Sequence, residues 1–290
     1  MSIKERILSH FAALSPTLQS AARFAIDHPN EVVTLSMRTL ADNAGVQPAS
    51  LVRLAQQLGF SGWPEVKAAF IADMGLRSER YSVRARSLSG RGRDARLVGE
   101  VFAAQRRNLD ATERQVDATL RRAATLLKRA RHVHVAGFRA SYPVACTLVY
   151  GYRLFRPGVT LLDAHAGGLE MQLRCIERKD AVVAISFAPY SREALEAVDA
   201  ARAAGARVLA MTDSPVSPLA LQAEVALLFS VQSPSFFPSI AAAITVSEAL
   251  LALLVAGAGD EAVRQIDRAE HQLFDSGAYL QAPRRFVEED

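Results

Sequence analysis

Three short stretches in the second half of the chain place hydroxyls, a guanidinium and a carboxylate where apolar helical periodicity begins. They are Gly137-Phe138-Arg139-Ala140-Ser141, Ser186-Phe187-Ala188-Pro189-Tyr190-Ser191-Arg192-Glu193, and Thr212-Asp213-Ser214-Pro215 with Ser217-Pro218 behind it. Hydroxyls and free backbone N–H groups at a helix start make a site for an anion, and the helix dipole favours negative charge there. Arg139 adds a planar fork suited to phosphate or carboxylate. Each serine alone reads as a plain helix cap. Three such loops at one sheet edge point instead to a small anionic ligand. The candidate ligand residues are Gly137, Arg139, Ser141, Ser186, Ser191 and Glu193, with His165 of Asp163-Ala164-His165-Ala166-Gly167-Gly168 at the border.

Those loops need a frame that brings them to one edge, and the surrounding residues supply it. HVHVAGF, GVTLLDA, DAVVAISFA, RVLAMTD and EVALLFSV read as five strands. Between them lie helical segments, of which SREALEAVDAARAAGA, ended by Gly205, is the clearest. Strands alternating with helices imply a parallel sheet covered on both faces. Ligands in such sheets bind beyond the carboxyl ends of the strands. His132 and His134 alternate with Val133 and Val135, which reads as one sheet face rather than a metal pair.

A second constellation lies near the start, in MRTLADNAGVQPASLVRLAQ, Met37 to Gln56. Small Ala41 allows close helix contact, and Gly45 falls where the first helix ends and positive φ is wanted. Pro48 opens a second helix, in which Leu51 and Leu54 face inward with Leu40. Gln47, Ala49, Ser50 and Arg53 are left on the outer face. This is the layout of a helix-turn-helix, whose second helix enters the DNA major groove. Gln47, Ala49 and Ser50 are expected at base edges, Arg53 on a base or phosphate, and Ser61 on phosphate. Helical segments before and after complete an all-α head, with Glu31 to Leu35 as a short connector and Trp63 as a partly exposed anchor.

The resulting fold class is α + α/β: an all-α helix-turn-helix head joined to a doubly wound parallel five-stranded sheet. The expected divisions are a head at 1–76, an Arg-rich linker at 77–96, a ligand-binding and dimerisation body at 97–282, and a tail at 283–290. Half of the 290 residues are hydrophobic, which suffices for a core and argues against disorder. Net charge is +1 over residues 1–78, +8 over 79–131 and −5 over 132–290, as counted along the sequence. A basic middle suits a chain that docks one end on a polyanion, and equally suits a solvated Arg-rich helix. Cys146 and Cys175 lack metal-ligand spacing and read as buried thiols in a reducing cytoplasm. No apolar run is read as spanning a bilayer, no signal-peptide core opens the chain, and neither a metal nor a cofactor is expected.

Over nearly its whole length the chain resembles the RpiR-like (MurR/RpiR) bacterial transcription regulators, which join a helix-turn-helix to a sugar isomerase (SIS) domain. The head is similar at Leu40-Ala41, Gly45-Val46, Arg53 and Leu58-Gly59-Phe60-Ser61-Gly62. The body keeps Ser186, Ser191 (for Thr) and Glu193 of the SIS pattern S-x-S-G-x-T-x-E. It departs at Ala188 and Pro189, which replace the middle serine and the glycine, and at Arg139, where a second glycine is often found. The resemblance implies a regulator that senses a phosphosugar or sugar acid, and a homodimer on a palindromic operator, with pairing into tetramers left open. An aldose–ketose isomerase of the SIS fold is the alternative. It would need a general base, for which Glu193 and His165 are the candidates.

Overall fold

The computed structural model describes residues 2–74, 80–165 and 167–280. The expected tail at 283–290 and the expected head–linker boundary at 76 lie outside the described residues.

Six helices build the head. α1 (Ile3–His10) opens with a reciprocal capping box between Ser2 and Glu5. α2 (Pro16–Asp27) starts on a proline, as does α3 (Pro29–Thr34). α3 replaces the expected connector: Pro29 presets φ for a first turn, and Val32 and Val33 are buried in the head core. Ser36 caps α4 (Met37–Asn43) through the Thr39 amide, 3.2 Å from its hydroxyl. Gly45 then takes φ +66°, and α5 (Pro48–Gln57) follows. α6 (Trp63–Asp73) closes the head. Ile7, Leu40, Ala41, Leu51, Leu54, Leu58 and Val66 form its centre. Trp63 belongs to that core and is only 4% exposed, so it is a packing residue rather than a surface anchor.

The expected linker is largely ordered. α7 (Tyr81–Leu88) is followed by a 3₁₀ turn at Arg91–Arg93 and the long α8 (Arg96–Arg129). Gly90, at φ +88°, makes the reversal. Arg91 pairs with Asp94 at 2.8 Å and Glu100 at 2.9 Å, and Asp94 accepts from the Arg96 amide at 3.0 Å. Several of the basic residues therefore hold this turn, which is why the stretch lacks apolar periodicity and still folds.

All five strands are parallel, in the order β2 (Val159–Leu162), β1 (Val133–Gly137), β3 (Ala181–Ile185), β4 (Arg207–Thr212), β5 (Val225–Leu228). α8, α9 (Tyr142–Arg153) and α12 (Ala241–Ala258) pack on one face. α10 (Leu169–Leu173) and α11 (Arg192–Ala204) cover the other. This is the doubly wound arrangement expected. α13 (Asp260–Asp275) continues from α12 and buries only Ala262. α12 is long and apolar enough to cross a membrane by length and composition, contrary to the sequence reading. It packs against α8 and α9 and carries Glu248 at mid-helix. Neither cysteine is fully buried: Cys146 is half-buried and Cys175 exposed. Cys146 faces a groove between α9 and α13, and Cys175 lies in the turn after α10.

Candidate DNA-reading face and ligand cleft

On the head, α5 presents Gln47, Ala49 and Arg53 to solvent. The side chains of Gln47 and Arg53 make no hydrogen bond or ion pair among the described residues, so both are available to a ligand such as a base edge. Ser50 is not on this face. It is 1% exposed and lies four residues before buried Leu54, on the stripe that packs inward. A small hydroxyl there lets α5 approach the rest of the head, and Ser50 cannot reach a base edge without leaving the core. Ser61 is exposed, but its backbone N–H already donates to Glu65 Oε2 at 2.8 Å. Its side chain bonds Glu65 as well, so a phosphate would have to compete with that carboxylate for Ser61.

In the body, β1 lies between β2 and β3, so successive strands leave it in opposite directions along the sheet. This order puts the ligand crevice at the carboxyl ends of β1 and β3. A cleft of about 240 Å³ opens there. It is lined by the two loops singled out in the sequence, Arg139 and Ser141 after β1 and Ser186 and Ser191 after β3, the three serines forming its floor. Gly137 does not line it but makes it possible. A Cβ at Gly137 would lie 2.7 Å from Ala145 Cβ and 3.0 Å from the Ser141 carbonyl oxygen, so the β1–α9 turn closes only over glycine.

The hydroxyl floor is internally bonded. The Ser191 amide donates to Ser186 Oγ at 3.0 Å, and Ser191 Oγ accepts from the Ala194 amide at 3.4 Å, capping α11. The third loop does not line the cleft; it braces the second. Asp213 accepts from the Tyr190 hydroxyl at 2.8 Å and the Ala188 amide at 3.2 Å. Burial first, and then the Asp213 charge, push the Tyr190 phenol above its ordinary value, so it stays a neutral donor. Ala188 and Pro189, where the SIS pattern has a hydroxyl and a glycine, are thus held by a carboxylate behind the loop.

Arg139 stands over this floor at φ +53°, a region that L side chains seldom occupy. Its Nη2 meets Glu193 Oε1 at 2.5 Å, while Glu193 Oε2 is buried with no hydrogen-bond partner. Glu193 itself does not line the cleft; Arg139 does, and brings it a fork for an anion with the Glu193 carboxylate as its ion-pair partner. His165 is not part of the cleft. It is exposed after β2, with Nδ1 3.1 Å from Asp163 Oδ2. His132 and His134 lie at the other end of β1, on Thr160 at 2.8 Å and Asp180 at 3.3 Å, as a sheet face.

The sequence reading missed the upper wall. Phe138 and Phe187 flank the floor, and Tyr81 of α7 and Phe237 of the loop before α12 cover it. Tyr81 was hidden in a stretch read as a linker, and Phe237 in the aperiodic Ser233-Pro234-Ser235-Phe236-Phe237-Pro238-Ser239. Two aromatics inside a Ser/Pro loop were the available signal.

Together the fold and these two faces define a helix-turn-helix head on a sugar-isomerase-type α/β body with a cleft at its switch point. Residues 1–75 match the helix-turn-helix domain of the rpiR family, and residues 126–256 match the SIS domain. The chain belongs to the RpiR family of helix-turn-helix transcription regulators. It is 29% identical over 227 residues to the HTH-type transcriptional regulator YfhH of Escherichia coli, covering 75% of this chain and 77% of that one. The sugar isomerase domain of an RpiR transcription factor from Sphaerobacter thermophilus superposes with a TM-score of 0.55 at 28% identity, over 63% of this chain and 99% of that one. The Vibrio vulnificus NanR protein complexed with ManNAc-6P shares the fold over 95% of this chain and 99% of its own, with a TM-score of 0.57 and 18% identity.

Proposed function

We propose that the protein binds a specific, palindromic DNA site as a homodimer in the cytoplasm, and that a small anionic sugar-derived metabolite in the body cleft alters that binding. The observation that carries the reading is the cleft itself. An arginine fork and three serines, Ser141, Ser186 and Ser191, line a cleft at the sheet's switch point. Such a donor and acceptor set suits a phosphosugar or a sugar acid. NanR, which shares the fold, binds a phosphosugar. On the head, Gln47 and Arg53 read bases or grip phosphate from α5, with Ala49 and Ser61 beside them. A single small head binds weakly, and two-fold pairing supplies the second half-site. The outward side of α12, with Ile244, Ala249, Leu251 and Leu253 only partly covered, is the surface for pairing.

The isomerase alternative loses support from the same geometry. His165 is outside the cleft, and Glu193 is tied to Arg139, so neither is poised as a free general base. The function is binding, not catalysis.

The test is DNA binding to the promoter region beside the protein's own gene at stated salt, with and without sugar phosphates (glucose 6-phosphate, ManNAc-6P) and sugar acids (gluconate, glucuronate). Specific binding that shifts with one of these is the expected result. Specific binding that none of them changes would remove the ligand half of the reading. No specific binding under any condition would overturn the whole and send attention to an isomerase assay.

A further inference from the structure

The aromatic cover of the cleft belongs to two segments with different mechanical roles. Phe237 is carried by a loop fastened to α8. There, the buried Asn108 side chain donates to the Gln232 carbonyl at 2.7 Å and accepts from Ser230 Oγ at 2.8 Å. Thr112 Oγ1 accepts from the Ser230 amide at 3.0 Å, and Ser239 Oγ bonds Gln105. α8 in turn packs on the sheet, so Phe237 moves with the body.

Tyr81 is the first residue of α7, the helix nearest in sequence to the head. Among the described residues, two side-chain contacts tie α7 to the body, one of them made by Tyr81. Its ring lies 5.6 Å from the Phe237 ring, centroid to centroid, at 51°. One helical turn on, Arg84 Nη2 donates to the Ser233 carbonyl at 2.6 Å. Both contacts fall on the Phe237 loop, and the Tyr81 ring also walls the cleft. An aromatic face over a polar floor is the arrangement that would meet the C–H face of a sugar while the floor takes its polar groups.

Resting on the regulator reading above, we infer that Tyr81 is the sensor residue of the cleft. The Tyr81–Phe237 contact, with the Arg84 tether, is the joint through which cleft occupancy sets the disposition of α7 and hence of the DNA-binding head. A filled cleft and an emptied one differ in what the Tyr81 ring rests on. The head is joined to the body through α7, so that difference has a covalent route to the DNA-reading face.

Changing the body side of the joint should therefore be felt at the head. The experiment measures operator affinity, in the full-length protein without ligand, for Phe237→Ala, Tyr81→Ala and the double variant. Arg84→Ala is included as a variant that leaves no hole among the aromatic rings. The expected result is an affinity change of about 2- to 30-fold for Phe237→Ala. Tyr81→Ala should match it, and the double variant should do no more than either single. Arg84→Ala should shift affinity in the same direction. Wild-type affinity in Phe237→Ala and Arg84→Ala, with both folded by circular dichroism, would overturn the inference, as would effects of Phe237→Ala and Tyr81→Ala that simply add. Failure of the wild-type protein to bind any specific site would instead bring down the regulator reading, and the inference with it.

Discussion

The reading face of the head and the cleft of the body use polar side chains in opposite ways. On α5, Gln47 and Arg53 point into solvent with no partner among the described residues, held in place only by the apolar stripe beneath them. In the cleft, Ser186, Ser191 and Arg139 are engaged before any ligand arrives, the two serines with backbone amides and Arg139 with Glu193. A DNA duplex brings a dense, fixed array of acceptors and phosphates, so the head needs only to present free donors at the right pitch. A small ligand brings few groups, and the site that senses it gains by having an internal arrangement for the ligand to displace. On the function proposed above, the head is a presenter and the cleft a set of contacts for a ligand to exchange.

The sharpest way to break this comparison is at Arg53. If it is a free donor awaiting DNA, Arg53→Ala removes about 1–3 kcal/mol per head. A dimer doubles that, so specific binding falls by about 30-fold at the least. Fluorescence anisotropy on an operator fragment at fixed salt reads it, and circular dichroism should be unchanged, because the side chain packs against nothing essential. Unaltered operator affinity would mean that α5 is not the reading helix.

Gly137→Ala strikes the body where it is least able to yield. The new Cβ would meet a methyl at 2.7 Å and a backbone carbonyl at 3.0 Å, neither of them the loose end of a flexible side chain. Overpacking of this kind costs about 1–3 kcal/mol. For a chain of this size the thermal midpoint should fall by about 2–4 °C per kcal/mol. An unchanged midpoint would show that the β1–α9 turn can rearrange and that the cleft floor is not fixed by it.

The same contrast explains which features could be read in advance. The helix-turn-helix is built from neighbours: Leu40, Ala41, Gly45, Leu51 and Leu54 lie within one short stretch, and helical spacing alone sorts most of them. Ser50 escaped because a small hydroxyl is compatible with either side of a helix. The parallel five-stranded sheet and the two cleft loops followed from alternating strands and helices and from the position of Gly137 and Ser186 at strand ends, whereas the strand order came only with the structure. The cleft's cover did not, because it joins Tyr81 to Phe237, which are distant in sequence and lie in stretches without periodicity. His165 was placed by its loop, yet a loop after the edge strand β2 stands aside from the β1–β3 crevice. The helix at Pro29–Thr34 was missed because proline both ends one helix and begins another.

Arg139→Gly separates backbone from side chain within the cleft. Glycine at φ +53° relieves a left-handed conformation worth about 1 kcal/mol. The lost ion pair, with the Arg139 side chain 73% exposed, contributes about 0–1 kcal/mol. The two nearly cancel, so the thermal midpoint should stay within a few degrees, about the size of 1 kcal/mol. Protection by any anionic ligand that stabilises the wild type should vanish. A variant that keeps ligand protection would show that the fork is not what receives the anion.

A smaller effect distinguishes the sheet beneath the cleft. Burial holds the His134 imidazole below its ordinary value, partly offset by its hydrogen bond to Asp180. A histidine lowered in the folded state gives its full stability above the unfolded value, about 6.5, and loses it as pH falls toward the folded one. The wild-type thermal midpoint should therefore drop between pH 7 and pH 5, and His134→Gln should flatten that drop. Equal slopes would remove His134 from the acid response.

The least effect of all is expected at Ser50, and its smallness is informative. Gln47 and Ser50 are three residues apart, and by composition alone either could be a base reader. The structure puts Gln47 in solvent and Ser50 at 1% exposure on the Leu54 side of α5. Gln47→Ala should then weaken specific binding by about 1 kcal/mol or more, since a bidentate donor–acceptor to a base is lost. Ser50→Ala keeps the size class and removes only a buried hydroxyl, so operator affinity should stay within about twofold, below 0.5 kcal/mol. The reverse ranking would require α5 to be turned about its axis until Ser50 faced solvent, and with it Leu54, which lies about 40° from it around the helix. That outcome would dissolve the free-donor account of the head, because the apolar stripe that holds the face in place would no longer be the core.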